Sequence, residues 1–242
     1  MLDGAGTSTF SREQLAGLPA PAVRYFAFAL TPGQPLIRRA RLKWSGEFLM
    51  RTGGAWSPFT AEQHYTVRPP GFVWDAAIRM APLLAVRVRD GYVDGEGAMH
   101  ARVAGLVPVV DQHGTPEMAA GTLGRYLAEA VWLPTALLPS EGVTWTPVDD
   151  STARATLSDR GTTVWIDFHF GAQGEIVRAS TDRYRDVNGT AVLMPWVGHF
   201  REYKRVRGVM LPTAGEAEWV LPEGRLPYWR GRIASVEYLS AP

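Results

Sequence analysis

A carboxylate and a guanidinium set in an otherwise apolar run are the first residues of this chain with the makings of chemistry. In FVWDAAIRM, Asp75 and Arg79 share one alternation face with Val73 and Ala77, while Phe72, Trp74, Ala76, Ile78 and Met80 fill the other. If both faces are covered, each charge needs a partner, and a carboxylate so held takes on the shifted pKa that proton transfer uses. If the first face meets water, the two charges are a simple ion pair or a solvated row. In RYLAEAVW, Glu129 stands four residues after Arg125, the spacing of a helical ion pair. The other reading has Glu129 and Trp132 pointing across the mouth of a pocket. Tyr184, near Asp182, supplies a phenol that could serve beside Asp75 or Glu129 in acid–base work.

Recognised short motifs are missing. The chain has no GxxxxGK, no strand-to-helix GxGxxG, no HExxH and no GxSxG, so no cofactor is expected. The histidines His64, His100, His113, His169 and His199 are scattered. Asp167 and His169 share a strand face, but two ligands do not make a metal site, and no metal is expected. Asp90, Asp94 and Glu96 gather near glycines in DGYVDGEG at a spacing foreign to a calcium loop, which reads as a tight turn. Nine tryptophans are generous for 242 residues. Trp74, Tyr126, Trp132, Trp196, Tyr228, Trp229 and Arg230 are the candidate lining of a site for an apolar or ring-containing ligand, though aromatic side chains also serve as core.

The elements that position these residues follow from periodicity. Ser11 can cap a turn running to Gly17, and Pro21 can open a helical segment ended by Pro32 and Gly33, a preface over residues 1–34. From Pro35 the period becomes two: Leu36, Ala40, Leu42, Trp44, Phe48 and Met50 fall mostly on one face, with Arg39, Arg41, Lys43, Ser45 and Glu47 opposite. Strands continue through 35–112, punctuated by Gly53-Gly54, Pro69-Pro70-Gly71 and Gly95. A helix is expected over 115–138, with Thr115 as N-cap, Pro116 at the first turn and Leu123, Tyr126, Leu127, Ala130 and Val131 at helical spacing. Pro134 should break it and leave WLPTALLP as an apolar tail. Strands return over 143–240, separated by turns such as Asn188-Gly189. Strands, helix, strands imply one α+β domain over 1–242, mainly β, with a curved antiparallel sheet and a central helical lid.

The segments PPGFVWDA, RMAPLLAVRVRDGYVDGEG, RYLAEAVWLPTALLP, DRYRDVNG, PWVGHFREY and LPYWRGRI resemble the recurring motifs of an uncharacterised bacterial family of unknown function, from about Leu18 to Tyr238. That family brings no catalytic residues to carry over. More distantly, strand-rich halves around a central helix are similar to the half-barrel of lipoprotein carriers, which implies a concave face that holds acyl chains.

Bulk properties narrow the partners. With 25 basic and 24 acidic side chains the formal charge is +1, which removes the long-range field that nucleic acid would answer to. The absence of cysteine excludes disulfides, thiolate metal sites and cysteine nucleophiles. MLDGAGTSTF lacks the pattern of a signal peptide and no run approaches the roughly 18 apolar residues of a span, so a cytoplasmic protein without integral membrane association is expected. Three functions fit: binding of an apolar small molecule or acyl chain in a half-barrel, a cofactor-independent cyclase, isomerase or hydrolase, or a protein-interaction module using a sheet edge. The sequence leaves the oligomeric state open.

Overall fold

Long alternating runs become thirteen antiparallel strands in one open sheet. The structure, a computed structural model, describes residues 8–82 and 84–239. The first half contributes β1 (Arg39–Leu49), β2 (Trp56–Thr66), β3 (Gly71–Ala81), β4 (Leu84–Val93), β5 (Glu96–Val103) and β6 (Val107–His113). The second contributes β7 (Thr144–Asp149), β8 (Thr152–Asp159), β9 (Thr162–Phe170), β10 (Ile176–Val187), β11 (Thr190–Val206), β12 (Val209–Leu221) and β13 (Gly224–Leu239). Several hairpins close with two residues, as at Asn188-Gly189 and Arg207-Gly208, where positive φ at both positions gives the twist that matches flanking strands.

Each half is a meander, and the two are sewn together by the first and last strands. β1 pairs β13 from Arg39↔Leu239 to Phe48↔Trp229, so the sheet runs from β6 inward to β1, then from β13 outward to β7. The chain between the two edge strands therefore has to travel from one side of the sheet to the other. It does so along the concave face, as helix α2 (Pro116–Glu129), numbered after a short N-terminal α1 (Ala20–Ala29). α2 packs on β3, β4 and β5 of one half and on β9 and β10 of the other, so the sheet curls around it as a half-barrel. Across the open side, Gln112 of β6 donates to Asp186 at 2.8 Å and the Tyr92 hydroxyl donates to Asp159 at 2.7 Å.

The helix begins where the sequence says. Thr115 Oγ1 accepts the Met118 amide at 3.1 Å, with Pro116 and Glu117 in the first turn. It ends earlier than expected, at Glu129, and the rest of the run is three 3-10 turns: Ala130–Trp132, Pro134–Leu137 and Pro139–Glu141. Pro134 has no amide to donate and holds Leu133 out of helical geometry, at φ −127° and ψ 65°, so the chain re-enters as a tighter turn. The apolar tail is core: Leu133, Leu137 and Leu138 are fully buried. Trp145 Nε1 donates to the Leu137 carbonyl at 2.9 Å, and the Ile37 amide donates to Thr135 Oγ1 at 2.9 Å.

The N-terminal preface forms a 3-10 turn over Arg12–Leu15, where Gln14 Oε1 accepts the Ser11 amide at 2.9 Å. α1 then packs against β8 and β12, burying Tyr25 and Phe26, with the Phe26 ring edge-on to Trp145 at 6.1 Å.

Candidate functional site

α2 fills part of the concave face and leaves the rest as a cavity of about 490 Å³. One wall comes from β1 and β3 to β6, including Phe48, Trp74, Ile78, Val88 and Met99. The other comes from β10 to β13, including Trp196, Phe200, Trp219, Tyr228 and Trp229. Ala128, Glu129 and Trp132 close its inner end, while Met50, Arg51, Thr52 and Val109 line it as exposed residues at the rim.

Indole rings set the shape of the inner end. Trp132 lies edge-on to Trp44 at 4.7 Å and to Phe200 at 5.7 Å, and Trp44 meets Trp229 at 5.5 Å. A row of glycines across three strands leaves bare backbone beneath Trp229 and Trp132, and at Gly46 it makes room for the Arg230 carbonyl and the Phe59 ring. Gly46 pairs with Gly231, and Gly231 with Gly215. A Cβ on Gly231 would come within 2.5 Å of Trp229 Cζ2, and one on Gly215 would meet Trp229 at 3.3 Å and Trp132 at 3.4 Å. Glycine inside a strand marks such close approach.

A buried polar network stands against the inner wall. Arg125 Nε donates to Glu129 Oε1 at 2.8 Å, and its Nη1 donates to Asp90 Oδ2. Glu129 Oε2 accepts Gln63 Nε2 at 2.7 Å and the Tyr65 hydroxyl at 2.8 Å, while Trp44 Nε1 donates to Gln63 Oε1 at 3.1 Å. The guanidinium lies 4.9 Å from the centre of the Phe72 ring and 5.2 Å from that of Trp74. Burial, reinforced by Glu129, pushes the Tyr65 phenol well above its ordinary value, so it stays a donor. Burial alone would weaken the charge on Arg125, but the two carboxylates more than restore it.

A second polar feature lines the opposite wall. On β10, Arg183 and Arg185 point to the concave side, with Arg183 over Trp196 at 4.9 Å and Arg185 over Trp219 at 5.9 Å. Trp219 stacks on Tyr228 at 6.0 Å, and the Tyr228 hydroxyl accepts Trp196 Nε1 at 2.9 Å.

Of the residues singled out from sequence, Trp74, Glu129, Trp132, Trp196, Tyr228 and Trp229 line the cavity. Glu129 pairs with Arg125 and borders the cavity at its closed end, away from the mouth. Tyr126 is buried behind that wall, its ring 6.5 Å from Tyr65. Asp75, Arg79, Arg230 and Tyr184 lie outside the cavity, by strand parity. Trp74 faces inward, so Asp75 faces out to Arg89 at 3.8 Å, and Arg79 is exposed on the same outer face. Trp229 faces inward, so Arg230 lies outside over Trp56 at 4.3 Å and pairs with Glu47 at 2.6 Å. Tyr184 alternates with Arg183 and Arg185 and is exposed. Asp90 belongs to the interior of β4; the tight turn read around it is confined to Asp94-Gly95.

Sequence spacing shows no set of three metal ligands, yet strand pairing assembles one. His199 of β11 stands opposite Glu216 of β12, and with Glu218 their ligand atoms fall within 4.8 Å of one another. Arg225 already occupies this cluster, with Nε at 2.8 and 2.7 Å from the two Glu218 oxygens. Burial would raise the Glu218 carboxyl, but the bonds from Arg225 and His199 outweigh it and hold the pKa below the usual range. Asp167 and His169 are likewise engaged: Arg154 grips Asp167 at 2.7 and 2.8 Å, and His169 Nε2 lies 2.8 Å from Ser180 Oγ. Treatment with a chelator is expected to leave the melting temperature unchanged. A downward shift of several degrees would show that a cation displaces Arg225.

The sequence profile described as a family of unknown function, DUF6920, matches residues 16–238. The chain belongs to that family. The span covers both meanders and α2, so the cavity and its two polar features all lie within the DUF6920 region. No curated protein matches the sequence. Among solved structures the chain is similar to a LolA-superfamily protein from Nitrosomonas europaea, with TM-score 0.47 and 10% identity over 92% of this chain and 93% of that one. It is also similar to a putative outer membrane lipoprotein-sorting protein domain from Vibrio parahaemolyticus, with TM-score 0.43 and 8% identity over 85% and 87% of the two chains. A β-barrel-like protein from Brucella abortus gives TM-score 0.30 and 10% identity over 85% and 99%. Among the described residues, no helix is long and apolar enough to cross a membrane.

Proposed function

We propose that this protein binds an apolar small molecule or acyl chain in the half-barrel cavity. The observation that carries this reading is the cavity itself: about 490 Å³, walled by aromatic and aliphatic side chains of both meanders. A concave, mostly apolar space of that size with a few fixed polar groups is what small-molecule sites share. Burying an acyl chain there would contribute roughly 0.8 kcal/mol of favourable free energy per methylene.

Acid–base catalysis has less support. Glu129, the one sequence-derived carboxylate candidate in the cavity, has its oxygens engaged by Arg125, Gln63 and Tyr65, which fixes it as an acceptor. Asp75 is on the outer face. Mass spectrometry of natively purified, then denatured, protein is expected to release a co-purified organic molecule carrying a long apolar portion. Titration of delipidated protein with a long-chain fatty acid should raise the melting temperature in a concentration-dependent way, because a ligand of the native state stabilises it by mass action. No released molecule together with no thermal shift would defeat the proposal.

A further inference from the structure

Charge is unevenly matched around the cavity. Asp90 and Glu129 are its inward-facing carboxylates, and both are committed to Arg125. Glu216, although it borders the cavity, carries its carboxylate on the opposite face of β12, near Arg201 at 3.6 Å and Arg225 at 3.9 Å. Arg183 and Arg185 remain. Arg183 Nη2 donates to the Gly121 carbonyl of α2 at 2.9 Å, and among the described residues the Arg185 side chain donates only to the Met194 sulfur, at 3.9 Å. Among the described residues neither guanidinium has a carboxylate partner, which leaves two formal positive charges on one wall of an apolar cavity.

Donors are also left over. Arg183 Nε, Trp74 Nε1 and Trp229 Nε1 are buried without a hydrogen-bond partner, and all three belong to residues that line the cavity. A buried donor without an acceptor costs about 1–3 kcal/mol, so such groups are retained where something else completes them. Here the unfilled groups are all N–H donors. Two are neutral indoles that any acceptor would complete, and the third, Arg183 Nε, belongs to a cation that an oxyanion would complete.

We infer that the ligand is an anionic amphiphile, whose acidic head is held by Arg183 and Arg185 while its chain lies along the apolar wall of Ile78, Val88 and Met99. The inference rests on the reading of the cavity as a ligand site and adds the chemistry of the head group. The arginines suit an oxyanion because the planar fork donates two parallel bonds, and each guanidinium lies near an indole, Arg183 at 4.9 Å from Trp196 and Arg185 at 5.9 Å from Trp219. A carboxylate and a phosphate share this chemistry, and they are told apart by assay.

Three probes with the same sixteen-carbon tail separate the possibilities: palmitate, hexadecyl phosphate and the neutral hexadecanol, each titrated into the delipidated full chain by tryptophan fluorescence. At least one anion is expected to bind about tenfold more tightly than hexadecanol. Whichever anion is tighter supports the inference and names the head group. Arg185→Gln is expected to abolish that preference while leaving hexadecanol affinity within about twofold, since among the described residues the side chain of Arg185 donates only to the Met194 sulfur of the adjacent β11, at 3.9 Å. Arg183→Gln should act in the same direction, and because it also loses the bond to α2, Arg185→Gln is the deciding variant. Equal affinity for all three probes, or an anion preference that survives Arg185→Gln, overturns the head-group inference and leaves the apolar pocket standing. Failure of all three to bind overturns both.

Discussion

Replacing Arg125 by Met is expected to cost about 3–5 kcal/mol of stability at neutral pH, the range found when one partner of a buried ion pair is removed. Arg125 is the only cation between Asp90 and Glu129 in this network, and the side chains of all three are 16% exposed. Methionine keeps much of the volume against Phe72 and Trp74 but leaves two carboxylates close together and poorly hydrated. The deficit is read from urea midpoints of the variant and the parent protein at neutral pH. A deficit under about 1 kcal/mol would mean that water reaches the network freely.

The same network shows where reading the chain stops. Glu129 and Arg125 are legible as a pair because four residues on a helix bring them together. Asp90 is 35 residues away on a strand, and Gln63 and Tyr65 are farther still, so no local period joins them. Only the curl of the sheet around α2 does.

Strand existence and helix start were legible for local reasons: Thr115, Pro116 and Glu117 announce a helix, and alternation through Ala40, Leu42 and Trp44 announces β1 and its buried face. Alternation also sets Trp74 on the apolar face of β3, but it does not divide Tyr228, Trp229 and Arg230, which stand together as candidate lining. It was silent in STDRYRD, where both faces are polar because the inward positions are Arg183 and Arg185 themselves. An amphipathic pattern cannot flag a polar side chain that faces a cavity. The glycine row is equally hidden, since Gly46 lies far in sequence from Gly215 and Gly231 and joins them only through the β1–β13 seam, while Gly215 meets Gly231 across β12 and β13. The fate of WLPTALLP was half legible. Its apolarity requires burial, but Pro134 gives equal reason to expect a hinge or a rigid turn, and the anchors that decide it are in other elements.

Trp132→Ala should therefore behave first as a core truncation. Its ring packs edge-on to Trp44 and Phe200, its Nε1 donates to the Pro212 carbonyl at 3.0 Å, and its own carbonyl accepts the Tyr238 hydroxyl at 2.6 Å. These contacts tie the turn after α2 to β1, β11, β12 and β13 at once. Removing an indole so held costs about 3–5 kcal/mol through lost contacts and the void left behind. Because the ring also lines the cavity, the void opens into the site. A fatty acid should still protect the variant thermally, with a preference shifted towards longer or bulkier chains that fill the added space. Trp132→Phe separates the two roles: it keeps an edge-on ring, forfeits the bond to Pro212 and is expected to lose about 1–2 kcal/mol with chain-length preference nearly unchanged. Hydrogen exchange supplies the decisive contrast with a moving lid. Amides of Leu133, Ala136 and Leu138, which donate to carbonyls within this buried run, should exchange only on global unfolding, with or without ligand. Sub-global exchange there, slowed by fatty acid, would show that the segment opens to admit the ligand and that its anchors break in the native ensemble.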